Sequence, residues 1–273
     1  MILSNRQSFA KKSLGQNFLV DRNFISKIVD AVAPAPPDTV IEVGPGHGAL
    51  TEPLLERCGT LVAVELDREL IPILHDRFGD IDRFELINED VLKIDFSEVH
   101  PGHRLKLVAN LPYYISTAVL LHLLPYRDRF SSLVLMFQRE VVDRMTAKPG
   151  TSDRGFLTVM VETFFEVERL FDVPPSSFRP VPKVWSSVVR LRPRADVGSP
   201  AGKEAEFEKL VGIAFRQKRK TILNNLKSAA NDVGLVNPVQ LLSAASIDPK
   251  RRAETLAIDE WKRLFANWVP DIS

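Results

Sequence analysis

Val40-Ile-Glu42-Val-Gly44-Pro-Gly46-His-Gly48-Ala-Leu50-Thr51 reads as the end of a strand, a three-glycine turn and the start of a helix. Glycines let the backbone turn sharply and approach a ligand, while the following helix offers its N–H groups. Gly44-x-Gly46-x-x-Ala49 satisfies the G-x-G-x-x-G/A pattern of dinucleotide sites, and Glu65 stands about where a ribose-binding acid belongs. Taken alone, the segment accommodates NAD or another adenosine-containing cofactor. A bare turn would need one glycine, and each further one costs chain entropy, so three argue for a ligand.

Outward from this turn the same pattern repeats. Short apolar runs at 39–43 (TVIEV), 60–64 (TLVAV), 83–87 (RFELI), 104–110 (RLKLVAN) and 131–137 (SSLVLMF) predict strands. Helices are expected over 21–33, 50–57, 68–78, 116–124 and 139–147, with Asp21 and Ser116 as caps and the prolines at 34–37 ending the first. This alternation predicts an α/β fold, a mostly parallel sheet covered on both faces. Runs at 164–171 and 187–192 flank the proline-rich 174–183 and are expected to pair antiparallel. A polar stretch at 193–203 then separates a domain over 1–195 from a helical one over 203–273. In the latter, one long helix is expected from Glu204 to about Ala230. Asn237-Pro238 opens another, and Ile258, Trp261, Leu264, Phe265 and Trp268 form an apolar stripe.

Composition excludes several classes. Of 273 residues 45% are hydrophobic and 26% charged, enough apolar side chain to offset chain entropy, so disorder is not the main state. Thirteen glycines and one cysteine exclude collagen-like and disulfide-scaffold chains. No apolar run reaches the roughly 18 residues of a membrane span, and residues 1–18 lack the apolar core of a secretory signal, so the expectation is cytoplasmic. The net charge of +1 says little about partners, but its distribution says more. Phe215–Lys227 holds five basic residues and no acid, a segment able to meet a polyanion locally. Five scattered histidines, without a Cys/His cluster, predict no metal site.

Two features move the reading from NAD toward S-adenosylmethionine. Glu42 and Gly48 complete E-x-G-x-G-x-G-x-L-T, which resembles motif I of class I methyltransferases. Acids also end successive strands, Glu65 after the second and Asp90 after the third. In a doubly wound sheet those ends converge on one crevice, where two carboxylates can take ribose hydroxyls and an adenine amine. Asn110-Leu111-Pro112-Tyr113 follows the fourth strand. An exocyclic adenine amine is a poor nucleophile because its lone pair is delocalised into the ring. The Asn110 side chain and the Leu111 carbonyl, holding both N–H protons, would favour a pyramidal nitrogen aimed at a sulfonium methyl. Pro112 stiffens the loop and Tyr113 offers a ring for stacking. No strong base is required, since the step is governed by orientation and charge placement.

The chain resembles bacterial ribosomal RNA adenine N6,N6-dimethyltransferases of the small subunit. The resemblance runs through Lys12-Ser-Leu-Gly-Gln-Asn17-Phe-Leu19, the glycine motif, Glu65, Asn88-Glu-Asp90, Asn110-Leu-Pro-Tyr113, Phe178-x-Pro-x-Pro-Lys183-Val-x-Ser186 and Phe215–Leu226. It implies a Rossmann-like class I methyltransferase sheet with an antiparallel last strand, and a small all-helical C-terminal domain. It implies that Asn17 and Leu19, within a cofactor-covering segment over 1–37, close over S-adenosylmethionine. Gly44 and Gly46 would approach its methionine part. Glu65 would hold the ribose and Asp90 the adenine amine, with Leu66 and Val91 beside them. Asn110 would sit between the methionine amine and the target N6, with Tyr113 stacked on the target base and Phe178 on its other side or edge. The implied substrate is a pair of adjacent adenines in a hairpin loop near the 3′ end of 16S rRNA within a pre-30S particle, and the implied further role is late in subunit assembly.

Lys11, Lys12, Arg216, Lys218, Arg219 and Lys220 are the candidate phosphate contacts. Trp185, Trp261 and Trp268 are expected in the core or in domain packing, and a monomer is the default. Three rival readings remain open: an NAD(P) oxidoreductase, a macrolide-resistance-type methyltransferase of large-subunit rRNA, and a non-catalytic RNA-binding assembly factor.

Overall fold

The computed structural model describes residues 16–112, 115–229 and 237–268. Lys11, Lys12 and Tyr113 lie outside the described residues. In chain order the elements are β1 (Phe18–Leu19), α1 (Arg22–Val32), β2 (Thr39–Val43), α2 (Thr51–Leu55), β3 (Thr60–Val64), α3 (Ile71–Phe78), β4 (Phe84–Ile87), β5 (Leu105–Asn110), α4 (Ser116–Leu123), β6 (Phe130–Gln138), α5 (Arg139–Met145), α6 (Phe156–Phe164), β7 (Phe165–Val173), β8 (Phe178–Arg179), β9 (Ser186–Pro193), α7 (Glu204–Ala214), α8 (Ile222–Ala229), α9 (Pro238–Ala244) and α10 (Ile258–Ala266). Among the described residues no helix is long and apolar enough to cross a membrane.

The main sheet runs β4-β3-β2-β5-β6-β9-β7. β2 is parallel to β3 and β5, β3 to β4, and β5 to β6, whereas β9 lies antiparallel on β6. β2 carries TVIEV with all five residues buried, as a central strand covered on both faces requires. The order reverses direction at β2, where β3 lies on one side and β5 on the other; ligands of such sheets bind beyond that switch point. α1 begins where the Asp21 carboxylate accepts from the Asn23 amide at 2.9 Å, and it buries Ile28, Val29 and Val32.

Several expectations are corrected. α2 is a five-residue helix that ends in a turn at Glu56–Arg57, and α3 starts only at Ile71, after a turn over 68–70. Ser116 is not the cap residue: Ile115 is, and Ser116 is buried inside α4. α6 had no expected counterpart; none of its nine residues, FLTVMVETF, is exposed.

The described residues pack into two compact units, those up to Val142 with Glu168–Pro193, and Asp143–Val167 with those from Arg194 onward. This differs from the linear division at 195 and 203, because α6 packs with α7 and α10. In this second unit Phe207 meets Phe164 and Phe265 edge-on, with ring centroids 5.8 and 5.3 Å apart, and Trp261 stacks on Phe215. Arg154, fully buried, donates to Glu162 Oε2 at 2.7 Å and to the Ala147 and Leu256 carbonyls.

The single helix expected over 204–230 is broken. α7 ends at Ala214 and α8 starts at Ile222, so Arg216, Lys218, Arg219 and Lys220 occupy an exposed turn. The cause is Asn225, 2% exposed, whose side chain donates to the Ala214 and Gln217 carbonyls at 2.7 and 3.2 Å and accepts from the Gln217 amide at 3.1 Å. An asparagine that supplies all three bonds replaces the helical hydrogen bonds of the interrupted segment. Trp261 and Trp268 are buried as expected, but Trp185 is 47% exposed and lies in the first unit.

Candidate active site

A cavity of about 730 Å³ opens at the carboxyl ends of the parallel strands in the first unit, within the size range of small-ligand sites. Its wall begins with the glycine turn. The Gly44 amide continues the sheet ladder to the Val64 carbonyl at 2.9 Å, and the chain then leaves β2 with Gly44, Gly46 and Gly48 all at positive φ. At Gly46 (φ 60°) a Cβ would stand 2.9 Å from the Phe18 ring, and at Gly48 (φ 81°) 2.5 Å from Phe78. Conformation and space therefore both demand glycine at these two positions.

Glu65 fixes this turn. Its Oε2 accepts from the Gly46 amide at 3.2 Å, its Oε1 from the Asp67 amide at 2.8 Å, and its own carbonyl accepts from Asn88 Nδ2 at 2.8 Å. Burial raises its carboxyl above the ordinary range, against those hydrogen bonds, which lower it. Asp90 stands at the end of the next strand, where its Oδ1 accepts from the Leu92 amide at 3.0 Å and starts a single 3₁₀ turn. Leu66, 46% exposed, and Val91, buried, line the cavity beside these acids. Beneath the turn Glu42 is 2% exposed and accepts from the Thr51 hydroxyl at 2.7 Å. Burial pushes its carboxyl up to about 8, so at neutral pH it is predominantly protonated.

The opposite wall comes from β5 and the N-terminal strand. Asn110 ends β5 opposite Met136 of β6, and its Nδ2 donates to the Asn17 carbonyl at 3.3 Å. Leu111 and Pro112 follow and line the cavity. β1 pairs with β8, Phe18 opposite Arg179 and Leu19 opposite Phe178, which ties the N-terminal segment to the rim.

Asn17, Leu19, Gly44, Gly46, Glu65, Leu66, Asp90, Val91, Asn110, Leu111, Pro112 and Phe178, named from sequence, thus line one cavity. Phe178 is only 1% exposed and packs into the core, so a ligand meets no more than the margin of its ring. The basic residues 216 and 218–220 lie in the second unit, not among these lining residues.

Sequence reasoning missed Phe18 and Gln16. Phe18 fills the space beside Gly46 and meets His47 edge-on at 4.4 Å; Gln16 donates to Asp67 Oδ2 at 2.9 Å. Their signal was present, since both sit inside the quoted Lys12–Leu19 segment, but no chemistry singled them out.

A mostly parallel seven-stranded sheet with an antiparallel β9, a glycine turn at its switch point and acids at successive strand ends define a Rossmann-like methyltransferase domain. The chain belongs to the ribosomal RNA adenine dimethylase family, whose model matches residues 7–268. It is 47% identical over 258 residues to ribosomal RNA small subunit methyltransferase A of Geobacter metallireducens, covering 93% of this chain and 94% of that protein. Among solved structures it is similar to a dimethyladenosine transferase from Plasmodium falciparum (TM-score 0.75, 28% identity, 90% of this chain and 95% of that one). It is also similar to the 23S rRNA methyltransferase ErmE (TM-score 0.65, 27% identity, 92% and 99%).

Proposed function

We propose that the protein transfers methyl groups from S-adenosylmethionine to the N6 amines of two adjacent adenines in a hairpin loop near the 3′ end of small-subunit rRNA, within a pre-30S particle. The observation that carries this is the meeting of the glycine turn, Glu65, Asp90 and Asn110–Pro112 in one cavity. The small-subunit branch is favoured over the large-subunit one by the 47% identity to the Geobacter protein, against 27% to ErmE.

The residues present fit the cofactor. Gly44 is exposed at the cavity wall, and a side chain at Gly46 would collide with Phe18, so the turn would receive the methionine part. Glu65 would accept from the ribose hydroxyls, and Asp90, beside the exposed Leu66, from the adenine amine. When bound, the cofactor supplies an electrophilic methyl on a positively charged sulfur.

Asn110 does the orienting. With Nδ2 directed to the Asn17 carbonyl, the amide turns its Oδ1 to accept from the target amine. The Leu111 carbonyl takes the second N–H, so the nitrogen lone pair points across the cavity. Holding the amine in that attitude is worth more than any proton transfer here, because the amine loses its proton only after the new bond forms. Pro112 adds no competing donor, and Tyr113 is assigned to stacking on the base. Unpaired loop adenines suit this chemistry, since unstacking them costs least. Arg216, Lys218, Arg219 and Lys220, with Lys11 and Lys12, are assigned to phosphates.

Undermethylated small subunits incubated with radiolabelled S-adenosylmethionine test the reading. Label recovered as N6,N6-dimethyladenosine from small-subunit rRNA is expected. Stoichiometric binding without label would instead support an assembly factor, and label confined to large subunits would support the macrolide-resistance type.

A further inference from the structure

The segment 179–185, RPVPKVW, joins β8 to β9 and exposes Val181, Val184 and Trp185 at 58%, 42% and 47%. Exposed apolar side chains in so short a stretch mark a contact surface. Its surroundings indicate the kind of partner. From Phe178 to Val189 the sequence has two basic residues, Arg179 and Lys183, and no acid, whereas Arg190, Arg192 and Arg194 further along the chain are paired with Glu168 and Glu166. Within the loop Lys183 is exposed, and Arg179 is exposed with its Nη1 on the Ser176 and Phe178 carbonyls. An exposed indole next to a cation is the composition of a surface that stacks an unpaired base and meets its phosphate.

Position supports the same partner. The Trp185 carbonyl accepts from the Arg139 amide at 2.9 Å, one step beyond the Gln138–Ser186 pair of β6 and β9. Asn110 pairs with Met136 of the same β6. Trp185 therefore stands at the same end of the sheet as the cavity, three residues along β6 and two strand spacings across from Asn110, roughly 14 Å away. Phe178, which lines the cavity, precedes the loop directly.

We infer that Trp185, flanked by Lys183, forms a second stacking subsite for an unpaired nucleotide next to the one entering the cavity. The inference rests on the proposed RNA-methylating function and adds a residue to it. Trp185 is a binding residue here and touches no reacting atom.

Methyl transfer to undermethylated small subunits, measured as separate kcat and KM, tests it. Trp185→Ala is expected to raise KM for subunits between about fivefold and a hundredfold, the cost of one lost base–aromatic stack. Trp185→Phe should recover most of that loss, and calorimetric S-adenosylmethionine affinity should not change. In parallel, a single-stranded oligoadenylate should quench the iodide-accessible tryptophan emission at low salt, and Trp185→Phe should lack that component, because Trp261 and Trp268 are buried. An unchanged KM in Trp185→Ala, with the parent enzyme active, overturns the subsite and leaves the function standing. A parent enzyme inactive on every subunit overturns the function itself. A raised KM without oligoadenylate quenching assigns the indole to a ribosomal protein and overturns the RNA subsite.

Discussion

The cavity in the first unit and the basic turn in the second are both needed for the proposed function, but they are held in place by different means. The cavity is built from groups with little choice: glycines at positive φ, a buried Glu65 that bonds two amides, and a strand-end Asn110 on a neighbouring carbonyl. The turn at 215–221 has exposed, interchangeable charges on its surface and one buried asparagine beneath. A site that orients atoms is specified residue by residue. A surface that collects phosphates is specified by charge and by the single group that shapes it.

The comparison breaks most sharply at Asn110. Asn110→Ala is expected to lower kcat at least a hundredfold, the scale of losing a positioned polar group at a reacting centre. Stability should change little, since the Asn110 side chain gives up one 3.3 Å bond to Asn17. Turnover within tenfold of the parent would remove the orienting role. Replacing Arg216, Arg219 and Lys220 together by Ala should weaken subunit binding without touching cofactor affinity. Lys218 is best left in place, because its Nζ donates to the Ser152 carbonyl and serves the fold of the second unit. Three lost phosphate contacts should flatten the slope of log affinity against log salt by about 2. An unchanged slope would show that the turn does not touch RNA.

What the sequence disclosed follows the same division. The strands and the cavity were legible because their demands are local: a β-branched run with both faces covered, glycines where a Cβ has no room, acids at strand ends. The break between α7 and α8 was not, because FRQKRKTILNNLK contains no Gly or Pro to mark it and the interrupting bonds come from Asn225, eight residues beyond the amide it caps. Nor was the grouping of 143–167 with the C-terminal helices, since the packing of α6 on α7 and α10 is a tertiary contact that its own sequence does not announce. Trp185 was misjudged for a simpler reason. Large aromatic residues are buried on average, and only the tertiary position shows this one to be exposed.

Asn225 sharpens the contrast at a smaller scale. Asn225→Ala leaves the Gln217 amide and the Ala214 carbonyl without their buried partner, which should cost about 2 kcal/mol. The loss should appear in unfolding of the second unit and weaken subunit binding, while S-adenosylmethionine affinity stays the same. Asn225→Asp, which sets a buried carboxylate oxygen against the Ala214 and Gln217 carbonyls, should be at least as destabilising at neutral pH. If the alanine variant were as stable as the parent, the turn would owe its shape to something else.

The cavity side has a counterpart in Glu42, where the effect is a slope. Its carboxyl is near 4.5 when exposed and is raised by burial to about 8 in the folded protein. The native state thus holds this proton more tightly than the unfolded chain. The stabilisation from that difference is fully present below about pH 4.5 and is lost as pH rises through about 8. Between these limits one such group contributes at most about 1.4 kcal/mol of lost stability per pH unit. Glu65 is shifted in the same direction by burial, so removing Glu42 removes only part of the dependence. Glu42→Gln keeps the shape and an acceptor for the Thr51 hydroxyl but cannot ionise. Its melting temperature, followed by calorimetry from pH 5 to pH 8.5, should fall less steeply than the parent's. Parallel curves would mean that Glu42 is charged in the folded protein. The floor of the glycine turn would then be an anion, and the positive groups needed beside it would have to be found.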